Sequence, residues 1–443
     1  MNLRRLPGMF CGLLLAACLA PAETKVLENF TLIDGTGNKP LANAGMVVTD
    51  GRITYVGAKA GAKAAAGAER IDLTGKFVMP GIINLHGHLG NTLGLVQDPK
   101  NFTRQNLGDQ LKTYAKYGVT GVMSMGSDTD LVFEVRAAQR SGRPNTARIY
   151  TAGRGFTGAG GYPTKAPGMK GVPYEVTTAG EVDKAIAELA KKKVDLVKIW
   201  VDDHLGKEQK IPLNISQAII SAAHRNGLRV GAHIFYLQDA EKLVEAGLNG
   251  LAHSVRDKPV SDGLILAMKK RGAWQQAATL TREVSTFVYA KPHPFLDDAF
   301  FTKSIDAKTL ATLKSAEYIK KAAADPDLPL YPGFLAMAQK NLKKLVESGV
   351  KVGFGTDTGP PARFSGYFEQ WEMELMVESG LTPMQVITIA THNSADFLGV
   401  LKDLGTLEKG KWADLVVLGK NPLDNIRNTR SIETVWVAGN KAN

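Results

Sequence analysis

Cysteine is almost absent from this sequence of 443 residues. Both cysteines, Cys11 and Cys18, lie in an apolar stretch at residues 6–20, so the rest of the chain can form neither a structural disulfide nor a cysteine-based metal site. No other apolar run is as long, and this one is shorter than the roughly 20 residues that a membrane-spanning helix needs. Disulfide-stapled and integral membrane proteins are therefore excluded.

The sequence also lacks the composition of a fibrous, disordered or nucleic-acid-binding protein. Hydrophobic residues make up 44% and charged residues 22% of the chain, which is typical of a globular protein with a large core. The formal net charge is +11, but no basic stripe is interleaved with aromatic residues. We expect a small-molecule or peptide substrate and no nucleic-acid partner, and the sequence leaves assembly into a homo-oligomer open.

The N-terminus has the pattern of a secretory signal. Arg4 and Arg5 precede the apolar run, and Ala20-Pro21-Ala22 offers a small-x-small cleavage site. We therefore expect residues 1–22 to be a signal peptide and the mature protein to be exported to the periplasm without a membrane span. An alternative remains open, because residues 15–18 (Leu-Ala-Ala-Cys) resemble a lipoprotein box, and a lipid on Cys18 would anchor the chain.

Strand patterns dominate both ends of the chain, and alternating strand and helix patterns fill its middle. Residues 25–76 and the tail after residue 405 are short alternating runs, with Asp-Gly turn signals at 34–35 and 50–51. Strands are predicted at 82–88, 120–125, 147–153, 194–201, 229–235, 250–255, 273–279 and 351–357, most of them followed by a helical segment. Repeated βα units of this number predict an α/β fold with a (β/α)8 TIM barrel.

These patterns also predict the domain boundaries. Residues 23–79 form the first part of a small β domain, residues 80–404 form the barrel, and residues 405–443 form the second part of the β domain. The segment after residue 280 is too long for a plain loop and contains helical sequence. We expect an insertion at about 280–335 that covers the mouth of the barrel.

Candidate metal ligands lie at the ends of several predicted strands. His86 and His88 are two residues apart, so on a strand both side chains face the same side and can reach one metal ion. His233, His253 and Asp357 end the fifth, sixth and eighth strands. Barrel enzymes have their active sites at the carboxyl ends of the strands, so we expect these five side chains to meet at one mouth.

Lys198 lies near the end of the fourth strand, in VKIW. A lysine inside a barrel mouth is unfavourable unless it is paired or chemically altered. Carboxylation of its amine by CO2 would produce an anion that can bridge two cations. We therefore include N6-carboxylated Lys198 among the candidate ligands.

Longer motifs give a resemblance to a known family. FVMPGIINLHGH, VKIW, GAH, LAH, GTDTG, LTPMQVITIATHNSADFLG and LGTLEKGKWADLVVLGKNPL together resemble the amidohydrolase superfamily, in particular its secreted dipeptidase branch related to prolidases and imidazolonepropionases. The resemblance implies a distorted (β/α)8 barrel with a β-sandwich built from both termini. It also implies two divalent metal ions, with Zn2+ the expected metal. The implied ligands are His86, His88 and Asp357 for one ion, His233 and His253 for the other, and carboxylated Lys198 as the bridge.

The reaction implied by this resemblance is hydrolysis of an amide C–N bond. A hydroxide that bridges the two metal ions attacks the carbonyl, and Asp357 relays the proton to the leaving amine. Dipeptides (Xaa-Pro or related) and N-acyl amino acids are the expected substrates. The alternatives are a cyclic-amide hydrolase of the imidazolonepropionase type, a promiscuous phosphoester or lactone hydrolase and, in another class, a non-catalytic barrel scaffold.

Two positions differ from the resembled family's usual pattern. Gly160-Gly161-Tyr162 stands where Gly-Gly-His is usual, and Phe235 stands where a tyrosine is common. Because such positions commonly contact the substrate, the resemblance does not extend to substrate identity. The candidate substrate-binding residues are Tyr162, His204, Tyr236 and Arg256.

Overall fold

A computed structural model describes residues 23–64 and 66–442. The predicted signal peptide, its cleavage site and Cys18 lie outside the described residues. The strands are listed here in chain order: β1 (Thr24–Leu32), β2 (Leu41–Thr49), β3 (Arg52–Ala58), β4 (Glu69–Asp72), β5 (Phe77–Pro80), β6 (Ile82–Gly87), β7 (Thr92–Leu93), β8 (Val96–Gln97), β9 (Val119–Ser124), β10 (Arg148–Thr151), β11 (Phe156–Thr157), β12 (Tyr174–Glu175), β13 (Val197–Trp200), β14 (Val230–His233), β15 (Gly250–Leu251), β16 (Trp274–Gln275), β17 (Leu415–Leu418), β18 (Ile432–Val437) and β19 (Asn440–Lys441).

Helices alternate with the strands through the middle of the chain. They are α1 (Arg104–Lys116), α2 (Leu131–Arg140), α3 (Ala179–Lys191), α4 (Leu213–Arg225), α5 (Leu237–Glu245), α6 (Asp262–Arg271), α7 (Leu280–Ser285), α8 (Ala299–Thr302), α9 (Ala307–Lys314), α10 (Ala316–Ala323), α11 (Tyr331–Glu347), α12 (Tyr367–Glu378), α13 (Pro383–Thr388) and α14 (Ser394–Leu398). Within the described part of the chain, no helix combines the length and the apolar character that crossing a membrane requires.

One sheet joins the two ends of the chain. β1 pairs with β2 in antiparallel fashion, and its two halves pair in parallel with β4 and β5. β5 in turn pairs with β17, which carries β18 and β19 at its other edge. Leu27, Phe30, Met46, Val78 and Trp436 are buried together between these strands. The terminal segments thus share a hydrophobic core of their own beside the barrel.

The barrel strands follow one another in parallel. β6, β9 and β10 form one group, and β12, β11, β13, β14, β15 and β16 form a second. Outside the barrel strands, α3 to α6 pack over β13 to β15 through a shared apolar core that includes Ile186, Ile219, Val230 and Leu243. α3 begins with a capping box, in which Thr178 and Glu181 bond each other's backbone N–H groups. The carboxyl ends of the strands consequently lie at one mouth.

The predicted eighth strand at 351–357 is not a regular strand, and on this point the sequence-based prediction is wrong. Val352 and Thr358 form only single bridges, to Gln275 and Gly87 respectively. Gly353 and Gly355 approach Gln276 and His86 so closely that a Cβ atom on either glycine would lie within 2.9 Å of them. This close approach replaces a regular ladder, so that the segment still links β16 to β6 and brings Asp357 to the mouth.

The segment after β16 forms short helices at the position where an insertion is expected. Val288, Phe295, Phe301 and Leu313 from this segment pack in one apolar core with residues of α12. Its polar residues Ser304 and Thr309 line a groove beside the mouth of the barrel. The segment therefore contributes a side wall next to the strand ends.

Candidate metal centre and cleft

The strand ends bring six predicted ligand residues together. Their side chains are buried or nearly so, and they are His86, His88, Lys198, His233, His253 and Asp357. The ring centroids of His86 and His253 are 4.5 Å apart, and those of His253 and His233 are 4.1 Å apart. Nζ of Lys198 lies 3.4 Å from Nε2 of His86. These distances place the lysine amine within the imidazole cluster.

Asp357 joins this cluster through one carboxylate oxygen. Its Oδ1 lies 2.9 Å from Nε2 of His88 and 3.5 Å from Nε2 of His86. Asp357 has a φ of 61°, an uncommon backbone conformation for a residue other than glycine. Its N–H donates to the carbonyl of His86, and the hydroxyls of the flanking Thr356 and Thr358 both donate to buried Glu369. These bonds hold the carboxylate at the mouth.

The imidazoles are oriented as metal ligands usually are. Nδ1–H of His86 donates to the carbonyl of Ala252, which leaves the lone pair of Nε2 free. Nδ1 of His88 bonds Ser127, and Nδ1 of His253 bonds Thr279. Nε2 of His253 is buried and has no hydrogen-bond partner among the described residues. An orphaned imidazole nitrogen beside a carboxylate and other imidazoles fits a divalent cation.

Burial controls the charge of this cluster. It lowers the pKa of His86 and His253 well below the usual value for histidine, and it lowers the pKa of His233 to about 4. It also lowers the pKa of Lys198 to about 7. Burial opposes ionisation of Asp357, but the guanidinium of Arg363 and the nearby imidazoles hold the pKa of this carboxyl well below its ordinary value. Neutral imidazoles next to an ionised carboxylate are the protonation states that metal ligation requires.

A cleft opens above the cluster. His86, His88, His233 and Asp357 form part of its lining, and its other residues include Asn91, Ser127, Tyr162, Met169, Trp200 and Arg363. The ring of Tyr162 lies 5.1 Å from that of His233, and the ring of His204 lies 6.0 Å from that of Tyr162. The candidate ligands are therefore reachable from the cleft, and Tyr162 faces the same space.

Tyr236 and Arg256 occupy other places. The hydroxyl of Tyr236 donates to Asp203 at 2.9 Å, and neither Tyr236 nor Arg256 is among the residues that line the cleft. Arg256 is fully buried, with its Nε 3.2 Å from Oε1 of Glu283. Of the four candidate substrate-binding residues, the structure brings Tyr162 directly to the cleft and places His204 beside it.

Comparison with known proteins identifies the family. Residues 77–442 match the family model described as "Amidohydrolase family". The chain belongs to this amidohydrolase family. It is 25% identical to an ochratoxinase from Aspergillus niger, over 99% of this chain and 89% of that protein. It is 27% identical to a 5-methylthioadenosine/S-adenosylhomocysteine deaminase from Symbiobacterium thermophilum, over 89% of this chain and 85% of that protein.

A solved structure gives the same result for the fold. A Xaa-Pro dipeptidase, solved with methionine bound in its active site, superposes with a TM-score of 0.74 at 21% identity, covering 94% of this chain and 99% of that one. The expected amidohydrolase resemblance and the expected α/β barrel fold are confirmed. Amidohydrolases are hydrolases that act on amide bonds, and they generally use divalent metals.

One acidic residue of this amidohydrolase centre escaped the sequence analysis. Asp202 is buried, and its Oδ2 accepts a 2.7 Å hydrogen bond from Nε2 of His233. Burial disfavours its ionisation, but the bond to His233 holds the pKa of Asp202 below its ordinary value. The residue lies four positions after Lys198, just beyond the end of β13. That position after a ligand-bearing strand is the signal that could have identified it.

Two arginines at this centre were also missed. Arg363 contacts Oδ2 of Asp357, the oxygen opposite the imidazoles, and Nε of Arg282 lies 3.6 Å from the same oxygen. Arg282 belongs to α7, and Arg363 belongs to the loop between residue 358 and α12. Each follows a predicted strand, at 273–279 and 351–357 respectively, but at three and six residues beyond its end and outside any spaced motif, so the sequence does not single them out.

Proposed function

We propose that this amidohydrolase is a binuclear metal-dependent enzyme that cleaves the amide bond of dipeptides, Xaa-Pro or related, or of N-acyl amino acids. The observation that carries the proposal is the buried cluster at the cleft, in which Nε2 of His253 has no partner among the described residues. Nitrogen atoms of His86 and His253 and an oxygen of Asp357 all lie within 4.8 Å of one another. The cluster thus offers ligands to cations and exposes them to a substrate.

In this proposal the ligands divide into two sets. His86, His88 and Asp357 would hold one cation, and His233 and His253 would hold the other. Lys198, carboxylated by CO2, would supply an anionic ligand to both. The lowered pKa of Lys198 supports this step, because a neutral amine can add to CO2 with the loss of one proton. Imidazole and carboxylate ligands are those that Zn2+ prefers, which supports zinc as the metal.

The side chains at the cleft then have separate tasks. Bound divalent cations would acidify a water molecule and polarise the substrate carbonyl. Asp357 accepts the proton released during attack and delivers it to the leaving amine, as a general acid–base group does. Tyr162 faces the cleft, and its hydroxyl can donate a hydrogen bond to the substrate. Burial raises the pKa of this phenol above the usual value and so keeps it protonated.

The proposal also includes export of the protein after cleavage of the signal peptide. The N-terminal pattern supports a mature chain that starts at Glu23 in the periplasm. Mass spectrometry of the N-terminus from soluble and membrane fractions tests this point. A mature N-terminus at an acylated Cys18 in the membrane fraction would contradict it and support a lipoprotein.

A substrate screen tests the proposed reaction. The mature chain would be loaded with Zn2+ and incubated with dipeptides, N-acyl amino acids, cyclic amides, lactones and phosphoesters. We expect release of free amino acid from the first two classes, and loss of this activity after chelation. Hydrolysis confined to the other classes, or no hydrolysis by protein that contains its metal, would contradict the proposal.

A further inference from the structure

Three guanidinium groups lie close to two carboxylates at one side of the cleft, and of the three only Arg363 lines the cleft itself. Nη1 of Arg282 and Nε of Arg256 lie 2.7 and 3.2 Å from the same oxygen of Glu283. Arg363 and Arg282 approach Oδ2 of Asp357. A third carboxylate, Asp202, is also close to Arg256 and Arg282, but it accepts the hydrogen bond from His233, and Asp357 is the residue that we assign to a cation.

Several N–H donors of these guanidiniums have no acceptor among the described residues. An arginine side chain carries five N–H donors. Within residues 23–64 and 66–442, the side-chain bonds of Arg363 all come from Nη1 and go to Asp357. Nε of Arg282 and Nη2 of Arg256 are buried without a partner among the same residues. Buried charged donors without acceptors are costly, and the donors of Arg363 that do not contact Asp357 are open to an anionic group of a ligand in the cleft.

Arg363 is the member of the group that a ligand can reach. Its side chain is 21% exposed, and it lines both the cleft and the adjoining groove that contains Ser304 and Thr309. Arg282 is 16% exposed and lies behind Asp357 Oδ2, whereas Arg256 is fully buried. A fork of N–H donors at the cleft edge is the geometry that binds a carboxylate in bidentate fashion.

The short distance between Asp357 and Arg363 limits which carboxylate of a substrate can reach Arg363. The carboxylate of Asp357 lies between the imidazole cluster and Arg363. Its Oδ1 contacts His88 and its Oδ2 contacts Arg363, so the two groups are one carboxylate width apart. In an amide of an α-amino acid, the carboxylate carbon lies two bonds, or about 2.5 Å, from the amide nitrogen. A nitrogen that receives its proton from Asp357 would therefore have its α-carboxylate next to Arg363.

We propose that Arg363, supported by Arg282, binds the α-carboxylate of the amino acid that leaves, so that the enzyme selects amides with a free carboxylate on the leaving-amine side. This inference rests on the proposed amide hydrolysis. It predicts that an amide is a good substrate when the released amine is an α-amino acid, and a poor one when that carboxylate is blocked.

The kinetic test compares the best substrate of the screen with the same compound as its C-terminal carboxamide. For the wild-type enzyme we expect kcat/KM to be roughly 10- to 100-fold higher on the carboxylate, the range expected for hydrogen bonds to charged groups. Arg363→Gln should lower this ratio to near one, mainly by raising KM for the carboxylate. Arg363→Lys keeps the charge without the planar fork and should give an intermediate ratio.

A matched control and a binding measurement complete the test. Arg225 is an exposed arginine paired with Asp183 at the surface, and Arg225→Gln should keep the wild-type ratio. L-Proline, L-phenylalanine and L-leucine should raise the Tm of the zinc-loaded protein more than their amides do, and this difference should disappear in Arg363→Gln. An equal loss of kcat on carboxylate and carboxamide would show that Arg363 only positions Asp357, and it would overturn the inference.

The outcomes separate this inference from the proposed function. Amide hydrolysis with no preference for the carboxylate would overturn the inference and leave the hydrolase assignment standing. Carboxylate-dependent binding that is lost in Arg363→Gln, without any amide hydrolysis, would overturn the hydrolase assignment and support the anion site. Equal Tm shifts with acids and amides, or no shift with either, would overturn the inference.

Discussion

The two oxygens of Asp357 face two halves of the cleft that are built in different ways. On the Oδ1 side lie His86 and His88, whose pKa values burial lowers, so that these two imidazoles are uncharged at neutral pH. On the Oδ2 side lie the guanidiniums of Arg363 and Arg282. The imidazole half offers lone pairs, which suit cations, and the guanidinium half offers N–H donors, which suit anions.

The two halves also differ in how their side chains are held. On the imidazole half, His86 lies on β6 and His233 ends β14, and hydrogen bonds to Ala252, Ser127 and Thr279 orient three of the rings. On the guanidinium half, Arg282 lies on the short helix α7 and Arg363 lies on a loop. The barrel strands thus position the candidate metal ligands, whereas α7 and a loop position the guanidiniums beside them.

The largest expected effect on activity comes from replacing Lys198, the proposed bridging ligand of the imidazole half. Lys198→Ala removes the amine that carboxylation would turn into the bridging anion, so we expect bound metal and activity to be lost together. Acetate or propionate added to the variant should restore part of both. Metal content by elemental analysis and the rate of amide hydrolysis are the measurements.

Lys351 provides the matched control for that variant. Its side chain is 63% exposed and lies at the other end of the barrel segment that carries Asp357, and Lys351→Ala should keep both metal and activity. Retention of two metal ions and near-normal turnover in Lys198→Ala would reject the bridging role.

The next effect in size comes from Asp357, which both halves share. Asn at this position keeps an oxygen for the cation but cannot take up a proton at neutral pH. Asp357→Asn should fold, keep most of its metal and lose kcat by roughly 10²–10⁴-fold, with a smaller change in KM. Metal analysis, a thermal melt and steady-state kinetics check this. A kcat within a few-fold of wild type, with metal and melt unchanged, would show that Asp357 is not the proton shuttle.

A smaller effect is expected at Tyr162, which faces the imidazole half from the cleft wall. Tyr162→Phe removes one neutral hydroxyl donor and keeps the ring, so kcat/KM should fall by roughly 2- to 10-fold, while metal content stays the same. Tyr55→Phe serves as the control, because Tyr55 lies on β3 in the terminal sheet. An unchanged kcat/KM in Tyr162→Phe would exclude a contact between this hydroxyl and the substrate.

The last effect is a pH-dependent change in the free energy of unfolding, caused by Glu372 next to the guanidinium half. Glu372 is buried and accepts hydrogen bonds from the N–H groups of Leu280 and Thr281, next to Arg282. Burial raises its pKa to about 7, whereas the unfolded chain loses this proton near pH 4.5. The folded state therefore binds the extra proton, and up to about 3 kcal/mol of stability is present below pH 4.5 and is lost as the pH rises through 7.

Urea denaturation of the metal-free protein at pH 4.5 and pH 8 measures this difference. Glu372→Gln has no proton to lose, so its stability should fall less than that of wild type between the two pH values. Parallel pH dependences for the two proteins would contradict the assignment and show that folding leaves the pKa of Glu372 unchanged.

The sequence predicts the imidazole half of the cleft better than the guanidinium half. His86 and His88 are recognisable because a strand places residues two apart on one face, and the ends of parallel barrel strands meet at one mouth. The eighth segment is recognisable as barrel sequence, but its irregular backbone depends on the close approach of Gly353 and Gly355 to neighbouring strands. Such contacts are set by tertiary packing and leave no periodic signal.

The guanidinium half could not be predicted. Arg256 follows His253 closely in sequence and was expected to bind substrate, but in the structure it is buried against Glu283. Arg363 and Arg282 come to the cleft only because a loop and α7 fold over the strand ends. Asp202 similarly becomes part of the centre through its bond to His233. Glu283 and His233 are distant in sequence from Arg256 and Asp202, and Arg363 reaches Asp357 through an irregular loop, so residue type and spacing do not reveal these contacts.

The central claim is that amide hydrolysis by this chain depends on two divalent cations in the imidazole half. The most direct test removes metal from the mature protein by chelation and then adds Zn2+ in measured amounts, in the presence of bicarbonate, while hydrolysis of the best substrate is followed. We expect no activity without metal and a rise in activity that saturates at about two bound ions per chain. Full activity in the chelated protein, or saturation well below two ions, would contradict it.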